Sequence, residues 1–279
     1  MSSDGVSEDA RTIATMCGIA GYSLKAESGV DRTLAAQALL AGIAERGADA
    51  VGYAYRCGEA AIDVHKQRSG ASALLEQIVI PNAATDVLVH VRDYTKGHPT
   101  IEANNHPIRH GPVVGIHNGI IFNDDELLAG HECARRVPGM TVDSEAIFAL
   151  AAHSRCEARA LEALRGSMAA AWLDERRPDT VFVTRGVGRP LWLGTNGDGT
   201  FFASTERALG VAEGFLRVEL EKRELPEGTL AVLAAGRVES TERFEPDRQF
   251  EEKPLPSVRA PLEGSFCLAR LAALAAAAS

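Results

Sequence analysis

The sequence predicts an α+β fold. Strand-like segments are short and numerous, and helical segments are scattered among them. The regular strand–helix–strand alternation of a doubly wound parallel sheet is missing. With 279 residues, 46% of them hydrophobic and 24% charged, the chain can bury a sizeable core and has an ordinary globular composition.

The elements read in order as follows. A short apolar run after Cys17 is the first strand. Asp31–Glu45 carries apolar residues at helical spacing, with Asp31 as N-cap and Arg46-Gly47 as the stop. The chain then turns into a strand ending at Tyr55, for which Ala61–His65 is the hairpin partner, and Ala71–Ile80 is a short helix. Asp86–Arg92 is rich in β-branched residues and reads as a buried strand. Asp93–His110, rich in His, Asn, Pro and Thr, reads as a loop. Pro112–His117 is a strand ending at Asn118-Gly119, a dipeptide common in hairpin turns. Thr141–His153 is a helix capped by Thr141 or Asp143, and Glu157–Arg165 is a further helix. Strands follow at Met168–Leu173, Thr180–Thr184, Pro190–Gly194 and Phe201–Ser204, then a short helix at Glu206–Leu209. Thr229–Ala234 and Arg237–Phe244 form a closing hairpin. Beyond Glu245, Pro246, Pro254, Pro256 and Pro261 mark an extended tail ending in an alanine-rich helix, Phe266–Ala278.

Composition excludes several classes. A net charge of -9 argues against a nucleic-acid or anionic-membrane binder. No apolar run is long enough for a membrane span. Five cysteines without a CxxC pair argue against a disulfide framework or a zinc ribbon and for a reducing cytosol, so the expected location is cytoplasmic. His90, His98, His106, His110 and His117 crowd one region, but a helical H-x-x-x-H pair and a carboxylate at ligand spacing are missing, so no metal is expected. Residues 1–16 are polar and acidic and lack the core of a secretory signal. They read as a propeptide, or as an upstream start with Met16 as the true first residue.

Chemistry centres on Cys17. If the mature chain begins there, one residue carries both a thiol and an α-amine. The amine, with a pKa of about 7.7–8.0, can serve as base near neutral pH. By itself a lone cysteine is more often a small buried hydrophobe. Around it stand polar patches at strand ends: Arg46-Gly47-Ala48-Asp49, His90 to Gly97, Asn105-His106-Pro107, His117-Asn118-Gly119 and Asp143-Ser144-Glu145. Further on come Gly186-Val187-Gly188-Arg189-Pro190-Leu191, Phe202-Ala203-Ser204-Thr205-Glu206 and Leu225-Pro226-Glu227-Gly228.

In this order the fragments resemble the class II glutamine amidotransferase domain, a member of the N-terminal-nucleophile hydrolases. The likeness is nearest to the glutaminase domains of glucosamine-6-phosphate synthase and amidophosphoribosyltransferase, and covers roughly Cys17 to Val238. It implies a four-layer αββα sandwich and an enzyme that hydrolyses the side-chain amide of L-glutamine through a γ-glutamyl thioester. No cofactor is implied. It further implies Cys17 as nucleophile, and Asn118 and Gly119 as donors to the oxyanion. Arg92 would hold the α-carboxylate and Asp143 the α-ammonium. Thr95 and His106 would line the pocket, with Arg46 in support. A planar guanidinium fork suits a carboxylate, and a glycine lets backbone approach closely.

Asp93, Tyr94 and Lys96 depart from the family's usual residues, and Asp93 and Lys96 are expected to pair with each other. The expected organisation is a leader over 1–16, the amidotransferase domain over 17–238 and a tail over 239–279. That tail is too short for a synthase domain, so a separate ammonia-accepting synthase is the expected partner. The tail helix could dock it or pack against its own domain. Two alternatives remain open: a hydrolase of another γ-glutamyl amide, and a non-catalytic regulatory or binding domain of the same fold.

Overall fold

A computed structural model describes residues 17–57, 61–250 and 258–277. The leader 1–16, Pro254, Pro256 and Ala278 lie outside the described residues. The strands are β1 (Gly18–Leu24), β2 (Ala50–Cys57), β3 (Asp63–Gln67), β4 (Ala84–Arg92), β5 (Ile108–His110), β6 (Val113–Ile121), β7 (Gly166–Asp174), β8 (Arg177–Arg185), β9 (Trp192–Thr195), β10 (Gly199–Ala203), β11 (Glu221–Glu224), β12 (Thr229–Ala234) and β13 (Arg237–Arg243). The helices are α1 (Arg32–Ile43), α2 (Ala71–Leu74), α3 (Asp124–Gly130), α4 (Glu145–Ser154), α5 (Glu206–Leu216) and α6 (Pro261–Ala277).

The strands form two antiparallel sheets, ordered β11-β9-β10-β1-β4-β2-β3 and β13-β12-β8-β7-β6-β5. Their inner faces meet. Ile19, Leu88 and Phe202 from the first sheet pack with Val114, Ile116, Ala169 and Val183 from the second. On the first sheet's outer face Tyr22, Val89 and Phe201 meet α1, α5 and α6. Outside the second sheet Trp172 and Phe182 stack at 5.4 Å and pack with Ile147 and Phe148 of α4. Alternate residues of each strand thus face opposite apolar layers, and the result is the αββα sandwich. Among the described residues no helix is long and apolar enough to cross a membrane.

Asp31 caps α1 as expected, its side chain accepting the Leu34 N–H at 2.9 Å. Elsewhere the structure corrects the sequence reading. The strand expected to end at His117 runs on to Ile121, so Asn118-Gly119 lies inside β6 and not in a turn. Neither Thr141 nor Asp143 caps α4; Ser144 holds that position, and its side chain makes no capping bond to the helix. The helix expected over Glu157–Arg165 is a tight helical stretch over Ala158–Ala163. Helix α5 runs past Leu209 to Leu216, starting from Thr205, whose side chain accepts the Ala208 N–H. The Asp93–His110 segment contains a tight helical turn and β5. Helix α6 lies on its own domain, with Cys267 and Leu271 buried in the layer that holds α1.

Candidate active site

Antiparallel register builds the site. Gly18 pairs with Val91, which puts Cys17 beside Arg92 at the end of β4. Ile19 and Leu88 face the inter-sheet layer, and on a strand of period two Cys17, His90 and Arg92 share their side. On β6, Val114 and Ile116 face the same layer, so Asn118 points inward with them. A contact crosses the sheets here: His90 Nε2 lies 3.1 Å from the His117 carbonyl oxygen.

Cys17 is 7% exposed. Its thiol donates to the Asp93 carbonyl at 3.4 Å, and its own carbonyl accepts Arg46 Nε at 2.9 Å. Burial pushes the thiol up to about 11, against the backbone contact from Asp93 and the nearby Arg92 charge. Burial also brings the Arg46 guanidinium down to about 10.

Arg92 is held from three sides. It donates to Asn105 Oδ1 at 2.6 Å, to the Lys96 carbonyl at 2.8 Å and to the Gly97 carbonyl. Three of its five N–H groups are thereby fixed. Asp143, 3% exposed, accepts the Ile121 N–H at 2.7 Å, which ties the approach to α4 onto the end of β6. Burial raises its carboxyl to about 6, while the Ile121 N–H opposes the rise.

Asn118 is the anomaly. It is fully buried, and neither its Oδ1 nor its Nδ2 has a hydrogen-bond partner. Its neighbour Gly119 sits at φ +145°, and a Cβ there would lie 2.0 Å from the Ser167 carbonyl oxygen, so only glycine fits. His106 stacks on His90 at 4.2 Å with neither ring nitrogen bonded, and burial holds it well below the usual histidine range. His117 contacts Ser144 Oγ through Nδ1 at 2.9 Å and is brought down to about 3, mainly by burial. Among the described residues no group of three or more His, Cys, Asp or Glu is placed to hold a metal.

Six of the residues named from sequence line one small cavity: Cys17, Arg92, Thr95, His106, Gly119 and Asp143. Asn118 and Arg46 are not on its wall; both are buried. The cavity measures about 10 Å³, room for about one water. Asp93, Tyr94, Thr95 and Lys96, consecutive on the loop after β4, form one side of its wall. A wider cavity of about 530 Å³, walled by Tyr53, Lys66, Glu102 and Arg109, does not reach Cys17. Its Lys66 donates to the Asn105 carbonyl at 3.0 Å.

The expected pairing of Asp93 with Lys96 does not occur. Lys96 reaches Asp124 at 2.6 Å and Asp125 at 3.4 Å, and Asp93 pairs with Arg259 at 3.0 Å. Buried Asp124 also takes Arg135 at 2.7 Å, so Lys96 joins a cluster of two cations and two carboxylates with Asp124, Asp125 and Arg135. Sequence reading missed Asp124, Arg135 and Arg259, and gave Ser144 no role of its own. Only the acidic pair Asp124-Asp125 carried any local signal, as the first turn of a helix.

A family model described as a glutamine amidotransferase domain matches residues 95–210. A glutamine--fructose-6-phosphate aminotransferase [isomerizing] from Acidithiobacillus ferridurans is 34% identical over 252 residues, covering 85% of this chain and 38% of that protein. The chain carries a class II glutamine amidotransferase domain. The like-named Escherichia coli protein is 31% identical over 211 residues, covering 70% of this chain and 32% of that one. This amidotransferase chain therefore spans about a third of the length of the curated relatives it matches. Among solved structures, the glutamine phosphoribosylpyrophosphate amidotransferase from B. subtilis matches with a TM-score of 0.63 at 19% identity. That match covers 81% of this chain and 49% of the other. A structure of the allosteric regulatory enzyme of purine biosynthesis gives 0.63 at 20% identity, with the same coverage. At these identities the two structures establish the shared sandwich fold of the amidotransferase domain.

Proposed function

We propose that this domain hydrolyses L-glutamine to glutamate and ammonia through a thioester on Cys17, and passes the ammonia to a partner synthase. The observation that carries the reading is Asn118, a buried side-chain amide with no partner on the inward face of β6. An orphaned buried amide costs stability and calls for an explanation, and a catalytic role is one. A donor aimed at a developing oxyanion must stand ready before the charge appears.

Cys17 is the nucleophile. With the thiol near 11, only about one sulfur in ten thousand is ionised at neutral pH, so a base must take the proton as attack begins. The free α-amine of Cys17 is that base. Arg92 grips the α-carboxylate and Asp143 the α-ammonium, while Thr95 and His106 shape the wall and Arg46 steadies the Cys17 backbone. Sulfur attacks the amide carbon, and Asn118 with the Gly119 N–H holds the oxyanion. The tetrahedral adduct collapses, the proton held by the α-amine passes to the departing nitrogen, and ammonia leaves. Water then attacks the γ-glutamyl thioester, releasing glutamate and restoring the thiol. The relatives' names pair glutamine with a phosphorylated acceptor, which supports an ammonia-consuming partner here. Five free cysteines suit a reducing cytosol.

Glutamate release is to be measured for the chain beginning at Cys17, for the chain retaining residues 1–16, and for Cys17→Ala. Only the first is expected to be active, because an acylated α-nitrogen cannot act as base. Full activity with residues 1–16 attached, or release only from larger γ-glutamyl amides, would overturn the reading.

A further inference from the structure

We propose that Arg259, in the segment entering α6, is a positioning residue for the Cys17 thiol and acts through Asp93. The inference rests on the reading of Cys17 as nucleophile.

Residue 93 has two contacts that matter. Its carbonyl accepts the Cys17 thiol at 3.4 Å, and its carboxylate pairs with Arg259 Nε at 3.0 Å. The side chains are 17% and 40% exposed, so the pair is partly shielded from water. The backbone of the same C-terminal segment is anchored independently. The N–H groups of Arg259 and Ala260 both donate to the Glu45 carbonyl, at 2.9 and 2.8 Å. Glu45 precedes Arg46, whose Nε holds the Cys17 carbonyl at 2.9 Å. Helix α6 presses onto the same turn: a Cβ at Gly264 would lie 2.9 Å from Glu45 Cβ. Glu263 pins the helix from the other side, accepting from Ser72 N and Ser72 Oγ at 2.9 and 3.0 Å.

Cys17 is therefore braced twice by a segment more than two hundred residues away in sequence. One brace runs through Asp93 to the thiol, the other through Glu45 and Arg46 to the carbonyl. The charged groups acting on the thiol are Arg92 and Arg46 on one side and Asp93 and Asp143 on the other. Arg259 balances Asp93. Without it a half-buried carboxylate would be left beside Asp49, with its own carbonyl still required to aim the sulfur.

The test is a double-mutant cycle in the full chain beginning at Cys17: Arg259→Ala, Asp93→Asn and both together, with Arg259→Lys as rescue. For Arg259→Ala, kcat for glutamine is expected to fall about two- to fivefold, the range of a partly exposed ion pair, with KM unchanged. Arg259→Lys should recover most of the loss, and Arg259→Ala should cost nothing further in the Asp93→Asn background. An equal loss in both backgrounds, a rise in KM alone, or no loss would overturn the proposal. Iodoacetamide labelling of Cys17, located by peptide mass, gives a readout free of glutamine turnover. Its rate should change about two- to fivefold on Arg259→Ala only where Asp93 is present. If no form hydrolyses glutamine but this coupling holds, the proposed function fails and the brace stands.

Discussion

At zero exposure, an amide side chain with neither atom bonded costs the fold roughly 1–3 kcal/mol for each orphaned group. Asn118 bears that cost, and its neighbours on the inner face, Val114 and Ile116, show what the position would otherwise hold. Asn118→Leu, close in volume and apolar, is expected to leave thermal stability unchanged or higher. It should lower kcat for glutamine by about 10²–10³, the usual effect of losing one oxyanion donor. Calorimetry beside a glutaminase assay checks both halves. A variant that loses stability in proportion to its activity would mark Asn118 as a packing residue. The residues that line the small cavity were legible in sequence because they fall in ordered polar fragments around Cys17 that resemble one family. Their electrostatics were not. Nothing in the letters around Asp143 foretells a carboxyl near 6, because burial among distant elements sets it.

Strand β6 does most to organise the site, and sequence reading misjudged where it ends. Asn118-Gly119 has the composition of a turn, yet Gly119 pairs with Met168 inside the ladder. Its φ of +145° is tolerated because glycine has no Cβ, and the strand beside it leaves no room for one. Gly119→Ala is expected to destabilise the domain by about 2–4 kcal/mol, through backbone strain and the clash with Ser167; denaturant unfolding reads this directly. Most other elements were legible from periodicity and capping: Asp31 announces α1, and β-branched residues announce β4. Helix α3 and strands β5 and β11 were not. Glu221–Glu224 is a charged edge segment without alternation, held as a strand by its partner β9. The ion pairs of Lys96 and Asp93 escaped for the same reason. Local spacing made them partners of each other, while the fold brings Asp124 and Arg259 closer.

Taken whole, the sandwich buries titratable groups of both kinds, and they oppose each other in pH dependence. His90 and His117 fall to about 3 and His106 well below 6.5, all mainly by burial. The unfolded chain takes up protons near 6.5 that the fold refuses, so these groups cost stability as pH falls. Asp86 and Asp143 rise from 3.8 to about 6, again mainly by burial. Between those values the fold keeps protons that the unfolded chain has released, so they cost stability as pH rises. Three histidines outweigh two carboxyls, and each unbalanced proton is worth about 1.4 kcal/mol per pH unit. Stability is therefore expected to fall on acidification from pH 6.5 toward 4. Asp143→Asn removes one opposing carboxyl and should raise stability at pH 7 by on the order of 1–3 kcal/mol, with no gain at pH 4; denaturant titrations at the two pH values test this. The layering has an optical consequence as well. The chain's two tryptophans fall one to each sheet, Trp172 in β7 against Phe182 and Trp192 in β9. Replacing either by phenylalanine leaves a fluorophore that reports on one half of the sandwich alone, so emission can show whether the two sheets come apart in one step or in sequence.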